Sequence, residues 1–272
     1  MPQSRVNMEL QPIVKWAGGK RWLVRKASGL FPADYNRYIE PFLGGAAVFF
    51  HMQPKVALLS DVNAELINLY AAVKSDWEAV LDELKVHQLR HSKEYYYKVR
   101  SLVPENSIAG AARMLYLNRT CWNGLYRVNL KGQFNVPIGT KSNVLMDADI
   151  FPSVAKLLQD AELKVSDFES SIDEAEEGDF IFVDPPYTVK HNFNGFIKYN
   201  EDLFCWEDQV RLKHAVERAA NRGAKILILN ANHESIAHLY GDFEQVVLSR
   251  SNVLAGKSEF RGIYQELAIK SW

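Results

Sequence analysis

The run Phe180-Ile181-Phe182-Val183-Asp184-Pro185-Pro186-Tyr187 places one carboxylate and one aromatic ring directly after four apolar residues of strand-forming type. Proline has no N–H and a fixed φ, so the ladder must stop at Pro185. The residue before each proline is pushed into extended geometry. Asp184 and Tyr187 therefore sit on a stiff turn at the carboxyl end of a strand, where open α/β sheets bind ligands. The plainer alternative is a capped strand end with a solvated aspartate.

Two further segments carry similar chemistry. In Tyr38-Ile39-Glu40-Pro41-Phe42-Leu43-Gly44-Gly45-Ala46 a strand passes through glycines toward an apolar helix start. Glycine lets backbone approach a ligand closely. Glu40 at the strand end would repel a phosphate but suits an ammonium or a hydroxyl. A second strand ends in Asp61, about 20 residues on, the spacing of the acid that accepts ribose hydroxyls in nucleoside-binding βαβ units. Its alternative is the N-cap of a helix beginning near Ala64. In Lys15-Trp16-Ala17-Gly18-Gly19-Lys20 a glycine turn separates an aromatic from a basic side chain. Trp16 could form an apolar wall and Lys20 a carboxylate partner.

The elements that must position these residues are legible as a pattern. Apolar runs at Arg37–Phe42, Val56–Asp61, Leu163–Asp167, Phe180–Asp184, Lys225–Asn230, Gln245–Ser249 and Gln265–Lys270 read as strands. Amphipathic stretches, including 64–85 and 207–223, read as helices, the second closed by Gly223. Strands alternating with helices predict an α/β protein with a doubly wound, mostly parallel sheet. The alternation breaks between about residues 75 and 149, which read as an inserted, mainly helical domain. Residues 1–74 and 150–272 then form the other domain.

With 272 residues, 47% hydrophobic and 24% charged, the composition is that of a soluble globular chain. No apolar run approaches the ~20 residues that span a bilayer. The N-terminus lacks the layout of a signal peptide. Cys121 and Cys205 form neither a disulfide framework nor a metal-ligand spacing, so a reducing cytoplasm is expected and no metal is. The net charge of −1 conceals a pattern: residues 106–146 contain no acid but hold Arg113, Arg119, Arg127, Lys131 and Lys141. Such a stretch reads as a surface for phosphates.

Together these segments resemble the Dam-type (D12 class) site-specific DNA adenine-N6 methyltransferases, over nearly the full chain and in the family's motif order. Lys15–Lys20 resembles the N-terminal cofactor motif, Glu40–Phe49 the F-x-G-x-G loop and Asp184–Tyr187 the catalytic motif. Leu117–Gly139 resembles the target-recognition segment, and Ile226–His233 a later core strand. The resemblance implies a Rossmann-like methyltransferase sheet, with residues 75–149 as a DNA-binding target-recognition domain. It implies S-adenosylmethionine as cofactor, with Trp16, Ala17, Gly18, Lys20, Glu40, Pro41, Phe42, Gly44, Asp61, Asp167, Phe168 and Asp184 lining its site. The second glycine of F-x-G-x-G is Ala46, with Gly45 at the usually variable position. Its methyl group is tolerable if the backbone there has ordinary φ.

By the same resemblance Asp184 and the carbonyl of Pro185 accept the two N6–H bonds of a flipped-out adenine, while Tyr187 stacks on the base; Pro186 stiffens the motif. Trp122 would wedge into the base stack beside Asn123. Leu125, Arg127 and Pro137 would contact bases, with Arg127 reading guanine, and Lys15, Arg119, Asn129 and Lys141 would reach DNA. Core packing is the alternative for Trp122 and Leu125. Arg250 and Asn252 fall in a segment that reads as a hairpin gripping phosphates. The implied partner is double-stranded DNA, at a short site, GATC above all. No membrane is implied, and the default state is a monomer. Competing implications are a catalytically degenerate DNA-binding homologue, an RNA adenine methyltransferase and a DNA cytosine-N4 methyltransferase. The aspartate at position 184 argues against the last two, because cytosine-N4 enzymes more often carry serine there and the related RNA enzymes usually asparagine.

Overall fold

A computed structural model of the chain describes residues 10–129, 131–146, 150–189, 204–251 and 263–272. All seven expected strands form: β1 (Tyr38–Glu40), β2 (Ala57–Asp61), β3 (Ala161–Val165), β4 (Phe180–Val183), β5 (Lys225–Ala231), β6 (Glu244–Ser251) and β7 (Ile263–Lys270). They make one sheet in the order β3-β2-β1-β4-β5-β7-β6. β1 pairs in parallel with β2 and β4, and β4 with β5. β7 enters antiparallel between β5 and β6. β4 is buried along its whole length, as its unbroken apolar run requires for a strand covered on both faces.

Nine helices are described: α1 (Arg21–Lys26), α2 (Ala47–Met52), α3 (Ala64–Arg90), α4 (Lys93–Ser101), α5 (Ser107–Thr120), α6 (Phe151–Leu158), α7 (Phe168–Asp173), α8 (Trp206–Asn221) and α9 (Glu234–Leu239). α8 ends as the sequence predicts, with Gly223 at φ 93. Asn63, Ser92 and Asn106 cap α3, α4 and α5 by accepting from backbone N–H groups at 2.9–3.1 Å.

The chain forms two compact units. One comprises residues 1–24, 43–55 and 63–165. Its centre is α5 packed along α3, and every residue from Ala111 to Thr120 is buried. The other comprises residues 25–42, 56–62 and 166–272, with a core in which Ile39, Leu58, Ile181, Val183, Ile226 and Ile228 of the sheet meet Leu212, Ala215 and Val216 of α8. α3 is kinked at Asp76, which leaves helical geometry (φ −155, ψ 72).

Candidate active site and nucleic-acid interface

The strand order reverses between β1 and β4, whose chains leave their carboxyl ends side by side: Ile39 is level with Ile181. Such a switch point is where doubly wound sheets open a crevice. Glu40, Pro41 and Phe42 emerge from β1, and Asp184, Pro185, Pro186 and Tyr187 from β4. Glu40 is 3% exposed and accepts a 2.8 Å bond from the Tyr38 hydroxyl. Burial, then the neighbouring Glu40 charge, pushes the Tyr38 pKa well up, so Tyr38 remains the donor. Asp184 is half-buried and Pro185 buried. The chain beyond them is held in place: the Tyr187 hydroxyl donates to Glu266 at 2.7 Å, and Thr188 Oγ1 to the Phe204 carbonyl at 2.5 Å. Gln209 donates to the Thr188 carbonyl at 3.4 Å and accepts from buried Asn230 at 3.1 Å.

Next along this edge, Asp61 ends β2, and its carbonyl accepts from Ser166 N at 3.2 Å. The helix-cap alternative for Asp61 is removed, because Asn63 caps α3. Asp167 caps α7 through Glu169 N at 3.0 Å and takes a two-pronged bond from Arg211, 3.0 Å on each oxygen. The same guanidinium lies 4.3 Å from the Phe168 ring centroid, and Phe42 stacks on Phe168 at 5.4 Å. Phe168, 3% exposed, is thus a core ring, and half-buried Phe42 is the more accessible of the pair.

In the other unit the Lys15–Lys20 segment turns tightly, with Gly18 at φ 77 and Gly19 N bonded to the Trp16 carbonyl. Ala17 is exposed, whereas Lys20 is 4% exposed and donates to the Gly18 carbonyl at 2.6 Å. Trp16 lies between Gly44 and Tyr126. A Cβ on Gly44 would meet Trp16 Cδ1 at 2.7 Å, and the Trp16 and Tyr126 rings stack at 5.2 Å. The Tyr126 hydroxyl donates to Glu65 at 2.8 Å, and Glu65 is paired with Arg113 at 3.3 Å. One expectation fails here. Ala46 does not have ordinary φ but lies in the left-handed region at φ 55, closing a turn in which its N–H reaches the Leu43 carbonyl at 2.8 Å. Its buried methyl group therefore sits on a strained backbone.

Within the Leu117–Gly139 segment the chain leaves α5 at Thr120 and returns on itself, with antiparallel bridges at Cys121–Ile138 and Val128–Phe134 that make an irregular ribbon. Trp122 is 53% and Leu125 44% exposed, which removes core packing as their role. Asn123, Arg127, Asn129, Pro137 and Lys141 are also exposed. Asn123 takes a left-handed backbone (φ 58) that projects the Trp122 turn. Arg127 Nε donates to Asn135 Oδ1 at 2.8 Å, which orients the guanidinium. Asn129 is occupied in closing the ribbon's turn, accepting from Lys131 N and Gln133 N at 2.9 and 3.0 Å. Lys15 is joined to this ribbon: Asn118 bonds both its N–H and its carbonyl at 2.9 Å, and its stem lies where a Gly124 side chain would be. Burial, then the neighbouring Lys141, lowers the Lys15 pKa.

The acid-free stretch is only half a surface. Arg113 and Arg119 are 8% and 4% exposed. Arg119 donates to the Val144 and Ile13 carbonyls at 2.6 and 3.2 Å, and Arg113 to those of Val99 and Arg100 at 3.0 and 2.8 Å. The expectation that Arg119 reaches DNA is thereby corrected: its fork braces loops against α5. Arg250 lies in β6, its side chain undescribed, and Asn252 is outside the described residues, although β6 and β7 pair as the arms of a hairpin. Sequence reasoning missed Asn118, Tyr126, Gln209 and Glu266. Only Glu266 left a signal, a charge inside an apolar strand.

Among the described residues no helix is long and apolar enough to cross a membrane, and no group of three or more His, Cys, Asp or Glu could hold a metal ion. The family model described as D12 class N6 adenine-specific DNA methyltransferase matches residues 16–253. The type II methyltransferase M1.LlaDCHI of Lactococcus lactis subsp. cremoris is 35% identical, over 100% of this chain and 98% of its own length. The type II methyltransferase M.MjaIII of Methanocaldococcus jannaschii is 34% identical, over 96% of this chain and 99% of its own. A DNA adenine methylase of Haemophilus influenzae is 32% identical, over 84% and 82%. With its catalytic-type turn at the switch point of the sheet and this likeness along its whole length, the chain belongs to the D12 class of N6 adenine-specific DNA methyltransferases.

Proposed function

We propose that this enzyme transfers a methyl group from S-adenosylmethionine to N6 of a flipped-out adenine in a short duplex site, GATC. The observation that carries this reading is the emergence of Asp184-Pro185-Pro186-Tyr187 from β4 beside Glu40-Pro41-Phe42 from β1. Adenine N6 is a poor nucleophile because its lone pair is delocalised into the ring. Asp184 accepts one N6–H bond and the Pro185 carbonyl the other, which holds the nitrogen toward tetrahedral geometry. Both acceptors sit on a backbone stiffened by two prolines, so the arrangement is set before the base arrives. Tyr187 stacks on the extruded base, whose extraction costs a few kcal/mol.

At the carboxyl edge of the sheet the donor set suits S-adenosylmethionine: Glu40 and Asp61 supply carboxylates for ammonium and hydroxyl groups, and Phe42 and Pro41 apolar surface, with Asp167 and Phe168 at the border. The family resemblance assigns cofactor-binding roles to Trp16, Ala17, Gly18, Lys20 and Gly44 as well. When bound, the cofactor supplies an electrophilic methyl group on a sulfonium. Residues 75–149 are assigned target recognition and residues 1–74 and 150–272 methyl transfer. In this reading exposed Trp122 wedges into the stack and Arg127 reads guanine. Asn123, Leu125 and Pro137 border the bases, and the Lys15–Lys141 pair grips phosphate.

The test uses radiolabelled S-adenosylmethionine with paired duplexes, one carrying a single GATC and one premethylated on both strands. Label entering only the unmethylated duplex, and lost in Asp184→Ala, is the expected result. Label in unrelated adenines would overturn the assigned site; no label in any duplex would overturn the assigned reaction.

A further inference from the structure

We propose that Glu266 is a positioning residue for methyl transfer, fixing the Tyr187 ring in the orientation that receives the flipped adenine. The proposal rests on the function assigned above. Glu266 lies in β7, between Ala231 of β5 and Leu248 of β6, beyond the residues 16–253 that the family model matches. It is 0% exposed and is followed by Leu267, Ala268 and Ile269, all buried and apolar. A carboxyl group in such a place carries a desolvation cost that leucine would not, so packing alone does not account for it.

What it touches does. Its Oε2 accepts from the Tyr187 hydroxyl at 2.7 Å, across 79 residues of sequence. The two prolines restrict the backbone up to Tyr187. Thr188, bonded to Phe204 and Gln209, secures the backbone after it. A Tyr187 hydroxyl tied to an acceptor in the sheet restrains the torsions of its side chain. Glu266 touches neither base nor cofactor; it acts through Tyr187. A preoriented ring loses less entropy when the base stacks on it.

The experiment measures kcat and KM for DNA and cofactor in Glu266→Ala, Glu266→Gln, Tyr187→Phe and the Tyr187→Phe/Glu266→Ala double variant. A second set of duplexes carries 2-aminopurine at the target adenine, whose fluorescence reports stacking of the extruded base. Loss of ring positioning should lower kcat roughly tenfold in Glu266→Ala and in Tyr187→Phe, with cofactor KM within about twofold of wild type. The double variant should be no worse than the poorer single one. Glu266→Gln keeps an acceptor and should recover most of kcat, and bound 2-aminopurine should be brighter in Glu266→Ala than in wild type. Should Glu266→Ala fail to fold, Tyr187→Phe asks the same question with Glu266 in place. Wild-type kcat in Tyr187→Phe and Glu266→Ala, additive losses in the double variant, or a Gln variant as slow as Ala would overturn the inference alone. No transfer to any duplex by the wild-type enzyme would overturn the assigned function and the inference with it.

Discussion

Replacing Gly44 by alanine confronts two features at once. The residue has φ 48, and its new Cβ would stand 2.7 Å from Trp16 Cδ1 and 3.2 Å from Nε1. The left-handed backbone costs an L-residue about 1–2 kcal/mol. Relief of the contact requires Trp16 to move, and Trp16 is stacked on Tyr126 at 5.2 Å. Losing that stack costs about 0.5–1.5 kcal/mol. Gly44→Ala should therefore destabilise the protein by about 1.5–3.5 kcal/mol, summing the two. On a Trp16→Ala background the contact is already gone, and the cost should fall to the backbone share of about 1–2 kcal/mol. Urea unfolding of the four proteins, followed by circular dichroism, closes the cycle. Equal costs on both backgrounds would refute the Trp16 contact as the reason for glycine; a cost under about 0.5 kcal/mol on either would refute the backbone argument.

Other outcomes follow from the same geometry. Ala46→Gly should have the opposite sign, raising stability by about 1 kcal/mol as the left-handed φ 55 is relieved, which thermal melting would register. Arg127→Ala should relax discrimination at one base pair by about 1–3 kcal/mol with little change in salt dependence, whereas Lys141→Ala should weaken all duplexes and flatten the salt slope by about one unit; fluorescence-anisotropy titrations at several salt concentrations separate the two. Burial, with a smaller contribution from Arg90, lowers the His87 pKa from 6.5 to about 4. The unfolded chain then binds the extra proton first, so this group adds stability above pH 6.5 that is lost as pH falls toward 4, by at most about 1.4 kcal/mol per pH unit. Urea midpoints of His87→Gln against wild type between pH 7 and 4 should converge as the pH drops.

Local chemistry alone determined much of this protein. Two prolines after Phe180–Val183 dictate where β4 stops, and seven apolar runs punctuated by turns dictate a doubly wound sheet, because period and chain-breaking residues act over a few neighbours. The candidate residues Asp184, Glu40 and Asp61 were legible for the same reason: each ends a strand. Only the tertiary structure decided matters that depend on distant partners. Arg119 and Arg127 look alike in sequence, but one faces the carbonyls of Val144 and Ile13 and the other lies on an exposed ribbon. Ala46 could be judged only once its φ was known, since the turn around it is set by Leu43 and the helix that follows. The Trp16–Gly44–Tyr126 contact and the Tyr187–Glu266 bond join residues 28 to 110 positions apart on either side of folded elements, and no periodicity records a pairing of that reach.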